Sequence, residues 1–248
     1  MRILLTIDDT DNHTSMGSGQ LAELLTKELR KEGHTSWCSD VSRHQLYNHH
    51  SIPYTSHNSS MCFAAEIAEN EWDNIIRFSR RFLRKNSAPG SDPGLCITRD
   101  YDSLNKGALI KFGLKAKKAV LTKAEAHNLA SETHVHLSEN GGTGEGVIGA
   151  LAGVGLRLHG SDGRIRGWFS FGEAGDVTDA ETLRNHPSVD TIIDISGQAL
   201  ASSDPILLTD KRLKTVLHEH QQVLPVISNA KGGEAPWRTL SKEAIKTY

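Results

Sequence analysis

The short run Ile3-Leu4-Leu5-Thr6-Ile7 ends directly in Asp8, Asp9 and Asp11. A run this short, β-branched in part and bounded by acids, predicts a buried strand. Its carboxyl end then carries three carboxylates within four positions. Their mutual repulsion and desolvation destabilise a fold unless a cation or hydrogen-bond donors offset them. Mg²⁺ suits such a group, because it takes hard oxygen ligands and completes its shell with waters and substrate phosphates. Asp8, Asp9 and Asp11 are therefore the candidate metal ligands, and Asp9 and Asp11 are also catalytic candidates. If the strand continued, Asp9 and Asp11 would share one side and Asp8 the other. The alternative reading is structural: Asp8 caps a turn, and Asp11 with Asn12 forms an Asx turn.

Beyond this strand the pattern alternates. Leu21, Leu24, Leu25 and Leu29 recur at helical spacing between Ser18-Gly19 and Gly33. Strands are expected at Thr35 to Val41, Met61 to Ile67, Leu95 to Thr98, Thr133 to Leu137 and Arg164 to Phe171. Helices are expected at Glu71 to Lys85, Leu121 to Ser131, Val147 to Leu156 and Lys211 to His218. The alternation suggests βαβ-type packing. The expected class is α/β or α+β, a mixed sheet with flanking helices and room for a small ferredoxin-like module. The character shifts to shorter segments near Gly175, which divides the chain into a catalytic-like domain over 1–175 and a smaller module over 176–248. The segment Asn229 to Tyr248 is polar and basic, with Trp237 as a docking candidate.

A second chemical signal is the loop Asn140-Gly141-Gly142-Thr143-Gly144-Glu145-Gly146 before a helix. Free amides at a helix N-terminus bind anions, so Asn140, Gly141, Gly142, Thr143, Gly144 and Gly146 are candidate nucleotide-binding residues. Gly144 to Gly149 matches G-x-G-x-x-G, but it lies mid-chain with no acid in the required place. No Lys-Ser/Thr follows the glycines, which excludes a P-loop. The bland reading is that Gly149, Ala150, Ala152 and Gly153 allow close helix packing. The polar loop from Tyr47 to Ser60 and the residues just before it carry His44, His49, His50 and His57 without defensible zinc spacing. Its Pro53, Tyr54, Thr55, Ser56 and Asn58 instead offer an aromatic face and hydrogen-bonding groups, and Asn58 is a further candidate for nucleotide binding.

Composition narrows the partners. A formal net charge of −2 over 248 residues argues against a surface that grips a polyanion throughout. One local exception recurs at helical spacing: Arg77, Arg80, Arg81, Arg84 and Lys85, opposite Trp72, Ile75, Ile76, Ser79, Phe82 and Leu83. It reads as a solvated face or as a contact for phosphate or RNA. Three scattered cysteines without a C-x-x-C pair point to a reducing compartment. Without a signal-peptide pattern or an apolar stretch of membrane-spanning length, the expected location is the cytoplasm, with no membrane partner.

Three blocks, in order, resemble the archaeal tRNA agmatinylcytidine synthetases, TiaS. Ile7-Asp8-Asp9-Thr10-Asp11 is similar to that family's opening I-D-D-T-D. Ile52-Pro53-Tyr54 through Glu66 is similar to its I-P-W-K-T-R-G-N segment and the strand after it. Gly142 to Gly155, with Gly149-Ala150-Leu151-Ala152, is similar to its G-R-G-x-I-G-A-L-A block. The resemblance implies a kinase-like catalytic part around ATP and Mg²⁺. It departs in three places. The family's phosphoaccepting threonine falls on Gly19, beside Ser18. Its Lys and Arg in the second block fall near Thr55 and His57. The cysteine pairs of its zinc ribbon, and the OB-fold that accompanies it, are not found here.

These readings combine into an expectation of ATP- and Mg²⁺-dependent phosphoryl transfer or ligation to an unidentified acceptor other than that tRNA. Asp9, Asp11 and Ser18 are the candidate catalytic residues, Ser18 as a covalent or positioning hydroxyl. Two alternatives stand beside it: an aspartyl phosphatase of the haloacid dehalogenase kind, built on Asp9 and Asp11, and a non-catalytic nucleotide-binding or RNA-accessory protein.

Overall fold

The computed structural model describes residues 1–55, 57–100, 103–230 and 235–246. The chain forms two compact units, Met1–His159 and Gly160–Tyr248. The Gly175 border expected from the sequence lies inside the second of these.

In the first unit, β1 (Arg2–Asp8) leads through α1 (Ser18–Lys31) to β2 (Trp37–Cys38) and β3 (Ser42–Gln45). Then β4 (Ser59–Glu66) leads through α2 (Trp72–Asn86) to β5 (Gly94–Arg99). β1 pairs antiparallel with both β4 and β5, and β2 and β3 pair antiparallel with β4. It follows that β1 and β3 run parallel with β4 between them, and that β4 and β5 run parallel with β1 between them. The expected βαβ packing is thus present as two interleaved split units, the ferredoxin-like arrangement. Interleaving makes every hydrogen-bonded pair antiparallel although each helix returns the chain to a parallel strand. α3 (Lys106–Ala116), α4 (Lys123–Thr133), β6 (His136–Glu139) and α5 (Gly146–His159) complete the unit, with β6 pairing on β5.

Strand alternation sends the two faces of the sheet to different cores. Ile3, Leu5, Ile7, Phe63 and Ile97 pack under Leu21, Leu25 and Leu29 of α1 and Ile75, Phe82 and Leu83 of α2. Leu4, Cys62, Ala64 and Cys96 pack under Leu109 and Phe112 of α3, Ala126 and Ala130 of α4, and Val147, Leu151 and Val154 of α5. The sheet is therefore covered on both sides. α3 is not among the helices expected from the sequence, although Leu109, Phe112, Gly113 and Ala116 recur at helical spacing and are buried, and Asn105 caps it by accepting the Ala108 amide at 3.2 Å.

The second unit contains β7 (Arg164–Ile165), β8 (Phe169–Ser170), β9 (Val177–Asp179), α6 (Ala180–Arg184), β10 (Thr191–Asp194), β11 (Pro205–Leu207), β12 (Arg212–Leu213), β13 (Val216–His218), β14 (Gln221–Ser228) and β15 (Trp237–Thr239). The order is β7-β13-β14-β15-β11-β9, with β10 parallel to β14 and β12 paired to β8. Lys211 to His218 is not helical. Leu213, Val216 and Leu217 have helical spacing, but Leu213 pairs with Phe169 and Val216 with Val223, so sheet pairing overrides the local pattern. Among the described residues no helix is long and apolar enough to cross a membrane.

The approach of α5 is governed by glycine. A Cβ on Gly155 would overlap the Leu109 carbonyl of α3, and one on Gly153 would overlap Ser60 Oγ and lie 2.6 Å from Thr6 Cγ2. Gly155→Ala is expected to destabilise the protein by about 1–3 kcal/mol, because overpacking against backbone outweighs the roughly 1 kcal/mol that Ala gains over Gly in helix propensity. Urea unfolding at equilibrium reads this directly.

Candidate functional site

Asp8 is the last residue of β1 and lies on the same face as Leu4 and Thr6, beneath α5. It is buried, at 8% exposure. A Cβ on Gly149 would fall inside the radius of Asp8 Oδ2, so α5 rests on this carboxylate only because position 149 has no side chain. Burial, then the charges of Asp9 and Asp11, push the Asp8 carboxyl well above its ordinary range. The strand does not continue through the cluster. Asp9 takes φ 49, a left-handed conformation that Asp tolerates better than most residues. Burial, then the charges of Asp92 and Asp11, raise Asp9 to about 6.

Asp11 serves a different purpose. Its Oδ1 accepts the Ser18 hydroxyl at 2.6 Å and the Ser18 amide at 3.3 Å, and its Oδ2 accepts the Thr55 hydroxyl at 3.1 Å. Ser18 Oγ also accepts from the Thr10 amide at 3.2 Å and the Thr10 hydroxyl at 2.9 Å. One carboxylate thus ties the aspartate loop to the start of α1 and to the loop before β4. The Asx turn expected here forms on Asn12, whose Oδ1 accepts the Thr14 amide at 3.0 Å.

Asp8, Asp9, Asp11, Ser18, Asn58, Gly146 and Gly149 line one cleft enclosing about 830 Å³, part of it open solvent. Apolar residues line the same cleft: Ile52, Pro53 and Tyr54 from the loop before β4, Ala119, Val120 and Leu121 from the α3–α4 connection, and Ile148 of α5. Tyr54 is 45% exposed. Ser56, also named in the sequence reading, lies outside the described residues.

The glycine loop divides. Gly146 reaches the cleft, and a Cβ there would stand 3.1 Å from that of Asp9. Asn140, Gly141, Gly142, Thr143 and Gly144 do not line it. Asn140 donates to the Ser138 carbonyl at 3.0 Å and accepts from Arg80 at 3.4 Å. Asp92 takes the Thr143 amide, and its second oxygen accepts the Thr143 hydroxyl at 2.6 Å. Gly142 (φ 60) and Gly144 (φ 84) hold conformations that suit glycine, against the Asp92 and Glu139 carboxylates respectively. Asp92 was missed from sequence because Pro89 to Gly94 reads only as a turn. Among the described residues no group of three or more His, Cys, Asp or Glu side chains is placed to hold a metal ion by itself, so Asp8, Asp9 and Asp11 do not form a three-carboxylate cage.

Known proteins share this arrangement of elements, although no family model matches the chain. The isoleucine-tRNA 2-agmatinylcytidine synthetase TiaS of Methanosarcina acetivorans is 30% identical over 166 residues, 63% of this chain and 36% of that protein. The chain is TiaS-like. An uncharacterized protein of Methanocaldococcus jannaschii is 26% identical over 162 residues, 64% of this chain and 51% of that one. The chain therefore spans about a third to a half of the curated relatives it matches. A solved tRNA fluorescent labeling enzyme superposes with a TM-score of 0.54 at 25% identity, covering 62% of this chain and 36% of that one. A complex of TiaS with its isoleucine tRNA and ATP superposes on all of this chain, and on 54% of its own, with a TM-score of 0.55 at 18% identity, a likeness of fold. None of the neighbours with a described activity supports a phosphatase of the haloacid dehalogenase kind, and Asp11, which would be that enzyme's general acid, has both oxygens tied to Ser18 and Thr55.

The raised Asp9 value has a consequence for stability in a chelator, with no cation bound. Between the unfolded value of about 3.8 and the folded value of about 6, the native state holds more protons than the unfolded one, so Asp9 reduces stability as pH rises through that window. Asp9→Asn is expected to be more stable than wild type at pH 7, by on the order of 1–2 kcal/mol after allowance for partial solvation. That advantage should vanish near pH 4. Thermal melts of both proteins from pH 4 to 7 check the sign.

Proposed function

We propose that the cleft binds ATP with Mg²⁺ and that the chain is an ATP-dependent transferase or ligase of the TiaS-like kind. The observation that carries this reading is the meeting of three carboxylates from the first strand and its following loop with the glycine start of α5 in one half-apolar cleft. The donor set fits a divalent cation. Asp8 and Asp9 are crowded and poorly solvated, no Lys or Arg among the described residues lines the cleft with them, and a cation would restore both to their charged forms. Mg²⁺ needs only one or two protein carboxylates when phosphates and waters complete its shell, so an all-protein cage is not required. Asp9 and Asp8 would hold it, and Asp11 contributes by orienting its neighbours. Bound there, the ion would bridge phosphate oxygens and offset charge during transfer.

The chain's own residues supply the rest. The start of α5 at Gly146 sets the positive end of a helix at the cleft, which favours a phosphate there, although the Val147 and Ile148 amides already donate to the Gly144 and Glu145 carbonyls at 3.4 and 3.1 Å. Asp92 keeps the preceding loop in place through Thr143. Ser18 donates its hydroxyl proton to Asp11 at 2.6 Å, so an acceptor for that proton is already in position. This suits either a nucleophilic or a positioning hydroxyl. Tyr54 and the other apolar residues of the cleft offer a surface on which a base could stack, with Asn58 beside it. The acceptor, which in the named relative is a tRNA, is read here as a separate molecule reaching the open side of the cleft.

Isothermal titration of the protein with ATP, with and without Mg²⁺, tests the reading. Binding should require the metal, and Asp9→Ala should weaken it at least about tenfold, the loss expected for one charge-assisted ligand. Unchanged binding by Asp9→Ala would overturn the assignment. ATP consumption assayed alongside separates an enzyme from a nucleotide sensor. Ser18→Ala should leave ATP affinity within about twofold, a difference of less than about 0.5 kcal/mol, while reducing turnover, which divides its role from that of Asp9.

A further inference from the structure

One side of α2 carries Arg77, Arg80, Arg81, Arg84 and Lys85, whose side chains lie next to one another. Arg77, Arg81, Arg84 and Lys85 are exposed and Arg80 is half-buried. Like charges three and four residues apart on a helix repel, so the pairs 77 with 81, 80 with 84 and 81 with 85 all oppose the helix they sit on. One acid stands at the relieving spacing, Asp73 four residues before Arg77, and Glu71 also feels the Arg77 charge, whereas Arg80, Arg81, Arg84 and Lys85 have no acid three or four residues away on α2. Among the described residues none of the five enters an ion pair. Arg77 donates to Asn74 and Arg81 lies over Phe78, contacts that order the side chains without neutralising them. A chain whose formal net charge is −2 has concentrated five positive charges on one side of this helix, of which only Arg84 and Lys85, in its last turn, are favoured by the helix dipole.

The stripe also leads somewhere. Arg80 reaches Asn140 at the start of the glycine loop. Just past the end of α2, the Ala88 amide donates to the Thr10 carbonyl and Asn12 donates to the Pro89 carbonyl, so the segment after the stripe is bonded to the aspartate loop at the cleft.

We propose that this face of α2 docks the phosphodiester backbone of a nucleic-acid strand and leads it toward the aspartate cleft. Four of the five groups are arginines, whose planar fork fits phosphate oxygens in pairs. Positions 77 to 85 rise about 12 Å along the helix, so the five positive charges average about 3 Å apart along its axis. The phosphates of one strand, about 3.4 Å apart along the axis, sustain a comparable density. A membrane is disfavoured because none of the exposed large hydrophobic residues among those described belongs to α2. The docking half of the proposal stands without the ATP reading. Only the delivery to the cleft rests on it.

The test is fluorescence anisotropy of the full chain with single-stranded RNA and DNA of about 20 nucleotides across about 50–200 mM salt, a range over which phosphate contacts are released. Arg77→Gln, Arg81→Gln and Arg84→Gln are then combined in one protein. These positions are exposed and lie outside the cleft, so circular dichroism and ATP titration should match wild type. The triple variant should bind polynucleotide at least about tenfold more weakly at the lower salt, and the slope of log affinity against log salt should shallow by about 2, or roughly 0.7 for each of three lost phosphate contacts. Binding by the variant equal to wild type would overturn the proposal, as would competition by polyglutamate or anionic vesicles as effective as competition by unlabelled RNA. Failure of wild type to bind ATP would defeat the preceding section while leaving this measurement intact.

Discussion

The architecture depends on one close approach, that of α5 to the end of β1. Gly149 over Asp8, Gly153 over Thr6 and Ser60, and Gly155 against α3 let a helix lie almost on the backbone of the sheet. Side chains at these positions would lift α5 away, and with it the glycine loop that opens it. The same contact buries Asp8, so the packing that completes the core also creates the electrostatic tension of the cleft.

That tension is concentrated in two carboxylates. Asp8 and Asp9 are desolvated beside one another and raised above their ordinary values, while Asp11 is satisfied by hydroxyls on both oxygens. Three acids adjacent in sequence thus divide into two that favour a proton or a cation and one that fastens the surrounding loops. A left-handed turn at Asp9 separates the roles by ending the strand, so the side-to-side alternation of a continuous strand does not apply beyond Asp8.

Asp92 shows why part of the site was illegible. It lies about fifty residues from the glycine loop it holds, in a segment whose composition announces only a turn. Its position beside Asp9 follows from β5 lying next to β1, a neighbour relation set by interleaved crossovers. The same pairing logic explains Lys211 to His218, where helical spacing yielded to strand partners. α3 is a different case, because its periodicity was present in Leu109, Phe112 and Ala116 and went unread.

The sequence by itself determined the first strand and its acids, the helices α1, α2 and α5 with their apolar faces, the glycines before α5, the basic side of α2 and the likeness to TiaS. Each is a local pattern, in which periodicity or side-chain chemistry acts within a few residues. Only the tertiary structure decided that Gly146 and Gly149, rather than Asn140 to Gly144, meet the aspartates, that Thr55 and Ser18 share Asp11, and that Asp92 holds the loop. Those outcomes depend on which strands become neighbours, and that is settled by burying both faces of one sheet at once.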